Sequence, residues 1–117
     1  MHKIKRKQIL EKIAQHLFDK GMSLKDISDI GNLDNPDFWI RRVGSEESIG
    51  RLSMTTPDSL DSWFGIRIKK EYRESIEPKY IYYYLDYLRE SGFWSPFYHG
   101  TTRLLNIRKR DIENIPL

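Results

Sequence analysis

The 117-residue sequence contains no cysteine. This absence excludes disulfide bonds, thiolate nucleophiles and the cysteine-ligated zinc and iron–sulfur sites. A chain without cysteine is compatible with a reducing compartment, so we expect an intracellular, cytoplasmic protein. Long hydrophobic runs are also missing. No apolar stretch approaches the roughly 20 residues that cross a bilayer, so no membrane partner is expected.

Histidine is scarce, and its spacing does not indicate a metal site. The three histidines are His2, His16 and His99, and no two of them stand at a spacing typical of metal ligands. The sequence therefore predicts a protein that holds no metal and no cofactor.

Two short segments resemble parts of enzymes, but each departs from the enzyme's pattern at one position. The segment 35–38, Asn-Pro-Asp-Phe, resembles the loop with which amino-methyltransferases hold a flipped base, but Asp37 replaces the second proline. Asp58 and Glu71 resemble the carboxylates of a magnesium-dependent nuclease, but Arg73 stands where a lysine is expected. We therefore expect no enzymatic activity, and a metal-dependent nuclease is the weakest alternative.

The basic residues are distributed unevenly, although the net charge is only +3 and the pI is near 9.1. Segments 1–7 and 103–110 contain eight bases and no acid, which leaves 12 bases and 17 acids in the rest of the chain. If the fold brings both segments onto one face, they form a positive surface suited to phosphate groups. Alternatively, both are simply solvated and bind nothing. The bases are Lys3, Lys5, Arg6, Lys7, Arg103, Arg108, Lys109 and Arg110.

Apolar residues at helical spacing predict two main helices. Residues 4–20 form an amphipathic helix, and Pro78 opens a second helix that Gly92 ends. Between them, Ser23 is a candidate N-cap for a short helix at 24–30, and Asp26 three residues on completes a capping-box pattern.

The remaining apolar segments are short and are bounded by turn residues, which is typical of β-strands. The clearest is 63–70, in which three apolar residues share one face and two cations share the other. Further strands are predicted at 39–43, 48–54 and 104–107, with one helical turn at 109–114.

These elements predict an α+β fold: a small, twisted, mostly antiparallel sheet with two main helices. We assign residues 1–22 to a basic N-terminal helix and residues 23–117 to the domain itself. An aromatic loop at 93–102 precedes the last strand. Its polar residues either hydrogen-bond phosphates and base edges, or Gly100 makes a turn that the threonines cap.

Five short motifs follow one another in a recognisable order. They are Leu-Lys-Asp-Ile at 24–27, Ser-Ile-Gly-Arg at 48–51, Pro-Lys-Tyr-Ile-Tyr-Tyr-Tyr-Leu at 78–85, Gly-Thr-Thr at 100–102, and Asn-Ile-Arg-Lys-Arg-Asp-Ile-Glu-Asn-Ile-Pro-Leu at 106–117. In this order they resemble the target-recognition domain of type I restriction–modification DNA specificity subunits. The resemblance covers about residues 23–117.

The resemblance implies a domain that binds double-stranded DNA of defined sequence and performs no chemistry, since methylation and cleavage belong to partner subunits. It implies that the Gly100 loop and its basic neighbours face the DNA. Specificity subunits carry two such domains joined by long helices that dock the methyltransferase. This chain matches one short copy, and its middle segment, 31–75, is reduced.

We therefore predict a non-catalytic module that binds double-stranded DNA. A methyltransferase or other subunit, or a second copy in a homodimer, would be a further partner. The alternative is a protein-interaction module of the same fold that docks on a restriction, replication or viral assembly component. The predicted DNA-binding residues are Lys5, Arg6, Lys7, Tyr98, His99, Gly100, Thr101, Thr102, Arg103, Arg108 and Lys109.

Overall fold

The computed structural model describes residues 21–101 and 103–117. The helix predicted at 4–20 lies outside these residues. The described part is an α+β domain with three α-helices and antiparallel strands, which confirms the coarse fold class. The strands form two small sheets rather than the one expected. Within the described ranges, no helix is long and apolar enough to cross a bilayer.

The first helix, α1 (Leu24–Ile27), begins with a capping box formed by Ser23 and Asp26. The Ser23 N–H donates to Asp26 Oδ2 over 2.7 Å, and its hydroxyl donates to the same oxygen over 3.0 Å. These hydrogen bonds hold the pKa of Asp26 below its ordinary value. The predicted Ser–Asp capping pair is therefore confirmed.

The larger sheet has the order β1-β5-β2-β4, with all pairs antiparallel. Its strand β5 (Trp63–Ile68) is central, and the predicted alternation is confirmed because its apolar side chains face the core. The other strands are β1 (Ser28–Gly31), β2 (Phe38–Arg41) and β4 (Leu52–Ser53).

The smaller sheet has the order β3-β7-β6 and is built from two-residue strands. They are β3 (Val43–Gly44), β6 (His99–Gly100) and β7 (Leu105–Asn106). Arg42 joins the two sheets, because its N–H donates to Ser62 O and its carbonyl accepts the Ile107 N–H over 2.9 Å.

The second helix, α2 (Pro78–Glu90), begins and ends where the sequence predicts. Pro78 occupies its first turn, and Gly92 lies just beyond its end with a φ of +82°. Ile81 and Leu85 are buried against the sheet. The third helix, α3 (Lys109–Glu113), buries Ile112 in the same core.

Two predicted elements are wrong in extent. The helix expected at 24–30 ends at Ile27, because the next four residues pair with β5 as strand β1. Tertiary pairing overrides the weak helical preference of so short a segment. The strand expected at 48–54 shrinks to β4, because the Ile49 N–H bonds to Ser45 O and Gly50 takes a φ of +78°. The Ser-Ile-Gly motif is thus a turn.

Asp37 connects the loop before β2 to the end of β5. Its carboxylate accepts two bonds of 2.9 Å from the Arg73 guanidinium and one of 2.8 Å from the Ile68 N–H. The Asp37 side chain is only 14% exposed. The segment 35–38 therefore has a structural role, and the Arg73 guanidinium is held by this carboxylate.

Replacing Asp37 with alanine is expected to lower the free energy of unfolding by about 2 kcal/mol, because the Ile68 N–H and the Arg73 guanidinium lose their hydrogen-bond acceptor. The Arg73 side chain is 44% exposed, so water screens part of the loss. Urea denaturation measures the effect. Arg73→Ala should cost less, since the carboxylate keeps its bond to Ile68, and equal losses would contradict this account.

Candidate nucleic-acid interface

A tight hairpin of β6 and β7 carries the predicted Gly100 loop. Gly100 has a φ of +102°, and a Cβ there would collide with the Leu104 carbonyl oxygen. The Thr101 N–H donates to Leu104 O over 3.2 Å, and Thr101 Oγ1 accepts the Leu104 N–H over 3.2 Å. Glycine is therefore required by the turn, and a threonine hydroxyl caps it.

The tip of this hairpin faces solvent. Gly100, Thr101 and Arg103 are exposed, and Leu104 is 59% exposed although it is apolar. Thr102 lies outside the described residues. The turn is thus open to a ligand, as a DNA contact requires, and its capping hydroxyl keeps a proton that can be donated.

Tyr98 and His99 lie at the base of the hairpin. His99 Nε2 is 3.8 Å from Asp111 Oδ2, and the same carboxylate oxygen accepts the Arg108 N–H over 3.1 Å. Burial, and to a lesser extent the nearby Glu46 carboxylate, raises the pKa of Tyr98. The phenol therefore stays protonated and can donate a hydrogen bond.

Four exposed cations surround the hairpin and the start of α3, and we call them the C-terminal basic surface: Arg103, Arg108, Lys109 and Arg110. Among the residues the structure describes, none of the four has an acidic partner within 4 Å. Arg108 and Lys109 stand at the start of α3, whose first turn also carries Asp111, and Arg110 stands in its last turn.

Arg42 is a further cation that the sequence analysis missed. Its carbonyl oxygen accepts the N–H of Ile107, the residue before Arg108 in the chain. Its guanidinium carbon is 5.1 Å from the centre of the Phe64 ring. Because these residues are far apart in sequence, only the pairing of β3 with β7 reveals their proximity.

A second basic region lies at the other end of β5. It is an open groove of about 420 Å³ bordered by four cations and two carboxylates. Two of these four cations are paired: Arg73 with Asp37, and Arg67 with Asp29 at 3.7 Å. The other two, Lys69 and Lys70, have no acidic partner within 4 Å among the described residues. The groove is therefore the weaker candidate for a phosphate contact.

The two residues that resemble a nuclease metal site are not part of a cluster of metal ligands in the described chain. Asp58 and Glu71 are both exposed, and within residues 21–101 and 103–117 no group of three His, Asp or Glu side chains could hold a metal ion.

The structure brings the described candidates into two connected groups, the hairpin and the start of α3. The predicted contacts Lys5, Arg6 and Lys7 lie outside the described residues. The described residues form a small α+β domain with exposed cations at the hairpin and at the start of α3. No protein-family model, curated protein or solved structure matches this chain. Its function is therefore argued from geometry and charge.

Proposed function

We propose that this protein is a non-catalytic module that binds double-stranded DNA, with a fold similar to a type I specificity-subunit target-recognition domain. The observation that carries the proposal is the C-terminal basic surface beside the exposed Gly100 turn. Cations without acidic partners favour phosphate, because their charge is not already neutralised within the protein. By contrast, Arg67, Arg73 and Arg89 are each paired with a carboxylate.

The contacts divide by chemistry. Arg103, Arg108 and Lys109 bind phosphates and set the position of the domain, as phosphate contacts do in most DNA complexes. The β6–β7 hairpin enters the major groove, which is wide enough for a two-stranded ribbon. Thr101 and Tyr98 then supply hydroxyl groups near base edges.

The edge of the interface is set by acidic residues. Glu46 and Glu47 are exposed in the turn that follows β3, and Glu46 is close enough to Tyr98 to raise its pKa. These carboxylates repel phosphate, so the DNA backbone lies on the α3 side of the hairpin. A module of this size buries about 600–1,000 Å² on DNA. This area suits a half-site, and a homodimer or a methyltransferase subunit would contact the rest.

Affinity for duplex DNA is expected to fall steeply with salt. Phosphate contacts from Lys5, Arg6, Lys7, Arg103, Arg108 and Lys109 would give a slope of about −5 when log K is plotted against log salt, because each contact releases counterions. Fluorescence anisotropy with a random-sequence duplex measures this slope. No binding at about 50 mM salt would contradict the proposal.

The second candidate, a protein-interaction module, is favoured by two exposed aromatic residues. Tyr83 and Tyr87 stand one turn apart on α2, and each is 65% exposed. Such a pair suits an aromatic contact at a protein interface. Binding that depends weakly on salt and is lost in Tyr83→Ala with Tyr87→Ala would favour this reading.

A further inference from the structure

A small pocket adjoins the C-terminal basic surface. Strand β1 ends at Gly31, opposite Gly65, so the first two residues of β5 extend past it. The pocket lies there and measures about 160 Å³. Its lining consists of Asn32, Arg42, Leu60, Asp61, Trp63 and Phe64.

Flat groups form the walls of this pocket. The rings of Trp63 and Phe64 are only half-buried, and Arg42 lies over the Phe64 ring. On the neighbouring face, the Arg41 guanidinium carbon is 5.6 Å from the centre of the Trp63 ring. Aromatic faces are surfaces on which nucleobases stack, and this leaves the Arg42 guanidinium to donate hydrogen bonds.

Three polar groups in the pocket have free hydrogen-bonding capacity. They are the Asn32 amide, the Asp61 carboxylate and the Arg42 guanidinium, and none bonds or pairs with another side chain in the described part of the chain. A carboxylate, an amide and a guanidinium that line one small cavity with aromatic walls match a flat ligand with several donors and acceptors.

Two contacts link the segments that line the pocket to the segment that carries the C-terminal basic surface. The Lys109 ammonium lies 3.4 Å from the position that a Cβ on Gly31 would take, and Gly31 precedes Asn32. Arg42 lies opposite Ile107, the residue before Arg108. A nucleotide whose base enters the pocket therefore meets a cation, Arg42, in the lining itself.

We infer that this pocket binds a guanine base turned out of the DNA stack. Guanine alone among the bases presents two adjacent donors, N1–H and N2–H, on its Watson–Crick edge, and the Asp61 carboxylate accepts both. The Arg42 guanidinium donates to its acceptors O6 and N7, as Arg does at guanine, and the Asn32 amide N–H can donate to O6 as well. Adenine and cytosine would place an acceptor against the carboxylate. The inference rests on the proposed function, since it deepens that function by naming the base.

The base preference is tested with mononucleotides and does not need duplex binding. Guanosine 5′-monophosphate is titrated into the ¹⁵N-labelled chain, and signals of the Asn32 side-chain amide and Trp63 indole should shift and saturate. Adenosine and cytidine monophosphates should bind about tenfold more weakly. Asp61→Asn should abolish this preference, whereas Asp58→Asn, an exposed control with the same charge change, should keep it. Shifts that are absent, or equal for all three nucleotides, would overturn the inference.

Extrusion of the base is tested with three duplexes: fully paired, with one bulged guanine, and with one bulged thymine. The wild-type chain should bind the bulged-guanine duplex about tenfold more tightly than the other two, and Asp61→Asn should bind all three equally. If all duplexes bind alike and salt-dependently, the inference fails and the proposed function stands. If no duplex binds but guanosine monophosphate does, the proposed function fails and the pocket is a guanine nucleotide site.

Discussion

Replacing both Arg103 and Lys109 with glutamate is expected to lower affinity for duplex DNA about 100-fold at about 50 mM salt, without unfolding the chain. Each change removes one cation near phosphate and adds one repulsive charge. Both side chains are exposed and have no acidic partner among the described residues, so the folded state loses no ion pair. Anisotropy gives the affinity, and circular dichroism confirms the fold.

A matched control separates the proposed surface from a general charge effect. Lys70→Glu with Lys79→Glu changes the net charge by the same amount at exposed positions outside the C-terminal basic surface. This control should lose only a few-fold in affinity, as expected for long-range electrostatics. If it loses as much as the Arg103 and Lys109 variant, the DNA does not bind at the hairpin. A larger loss in the control would instead favour the groove that Lys70 borders.

Replacing Trp94 with alanine is expected to lower the free energy of unfolding by about 3–5 kcal/mol. The side chain is 1% exposed and packs at 5.1 Å from the Phe93 ring and 6.0 Å from the Phe97 ring, measured between ring centres. It also fills the space above Gly50, where a Cβ would stand 2.6 Å from the indole Cδ1. Urea denaturation monitored by circular dichroism measures the loss.

Trp94→Phe tests the origin of that loss. Within the described residues the buried indole N–H has no hydrogen-bond partner, so its removal relieves a desolvation cost. Phenylalanine should therefore cost only about 1 kcal/mol despite its smaller ring. Gly50→Ala should also destabilise, since it needs a φ of +78° and collides with the indole. A Phe variant as unstable as the Ala variant would show that the N–H has an unrecognised acceptor.

Local chemistry predicted part of the fold. The alternation in β5, the proline that opens α2 and the Ser23–Asp26 cap each depend on neighbours a few residues apart, and all three are confirmed. The end of α1 depends on a distant partner, because the backbone of Ser28 pairs with Ile68 of β5. No periodicity in residues 24–30 contains that information.

The candidate site also combines features that depend on neighbouring residues with features that depend on distant ones. A turn at Gly100 capped by threonine is one of the two alternatives that the sequence leaves open, and the structure shows that turn at Gly100 and Thr101. The pocket was not predicted, since Asn32, Asp61 and Arg42 come from three separate segments. Arg42 carries no distinguishing local pattern. Its position follows from hydrogen bonds to Ser62 and Ile107, which only the folded chain reveals.

The backbone of residues 38–44 supplies one strand to each sheet, with Arg42 at the junction. We therefore expect a ligand that immobilises the hairpin to restrain the Arg42 guanidinium over Phe64 as well. A second ligand that fills the pocket would then lose less conformational entropy on binding. By thermodynamic linkage, a ligand in the pocket must then raise the affinity of the hairpin for its ligand by the same factor. Binding at the hairpin should strengthen binding in the pocket, and the reverse. Residues 38–44 would thus make the two binding events cooperative.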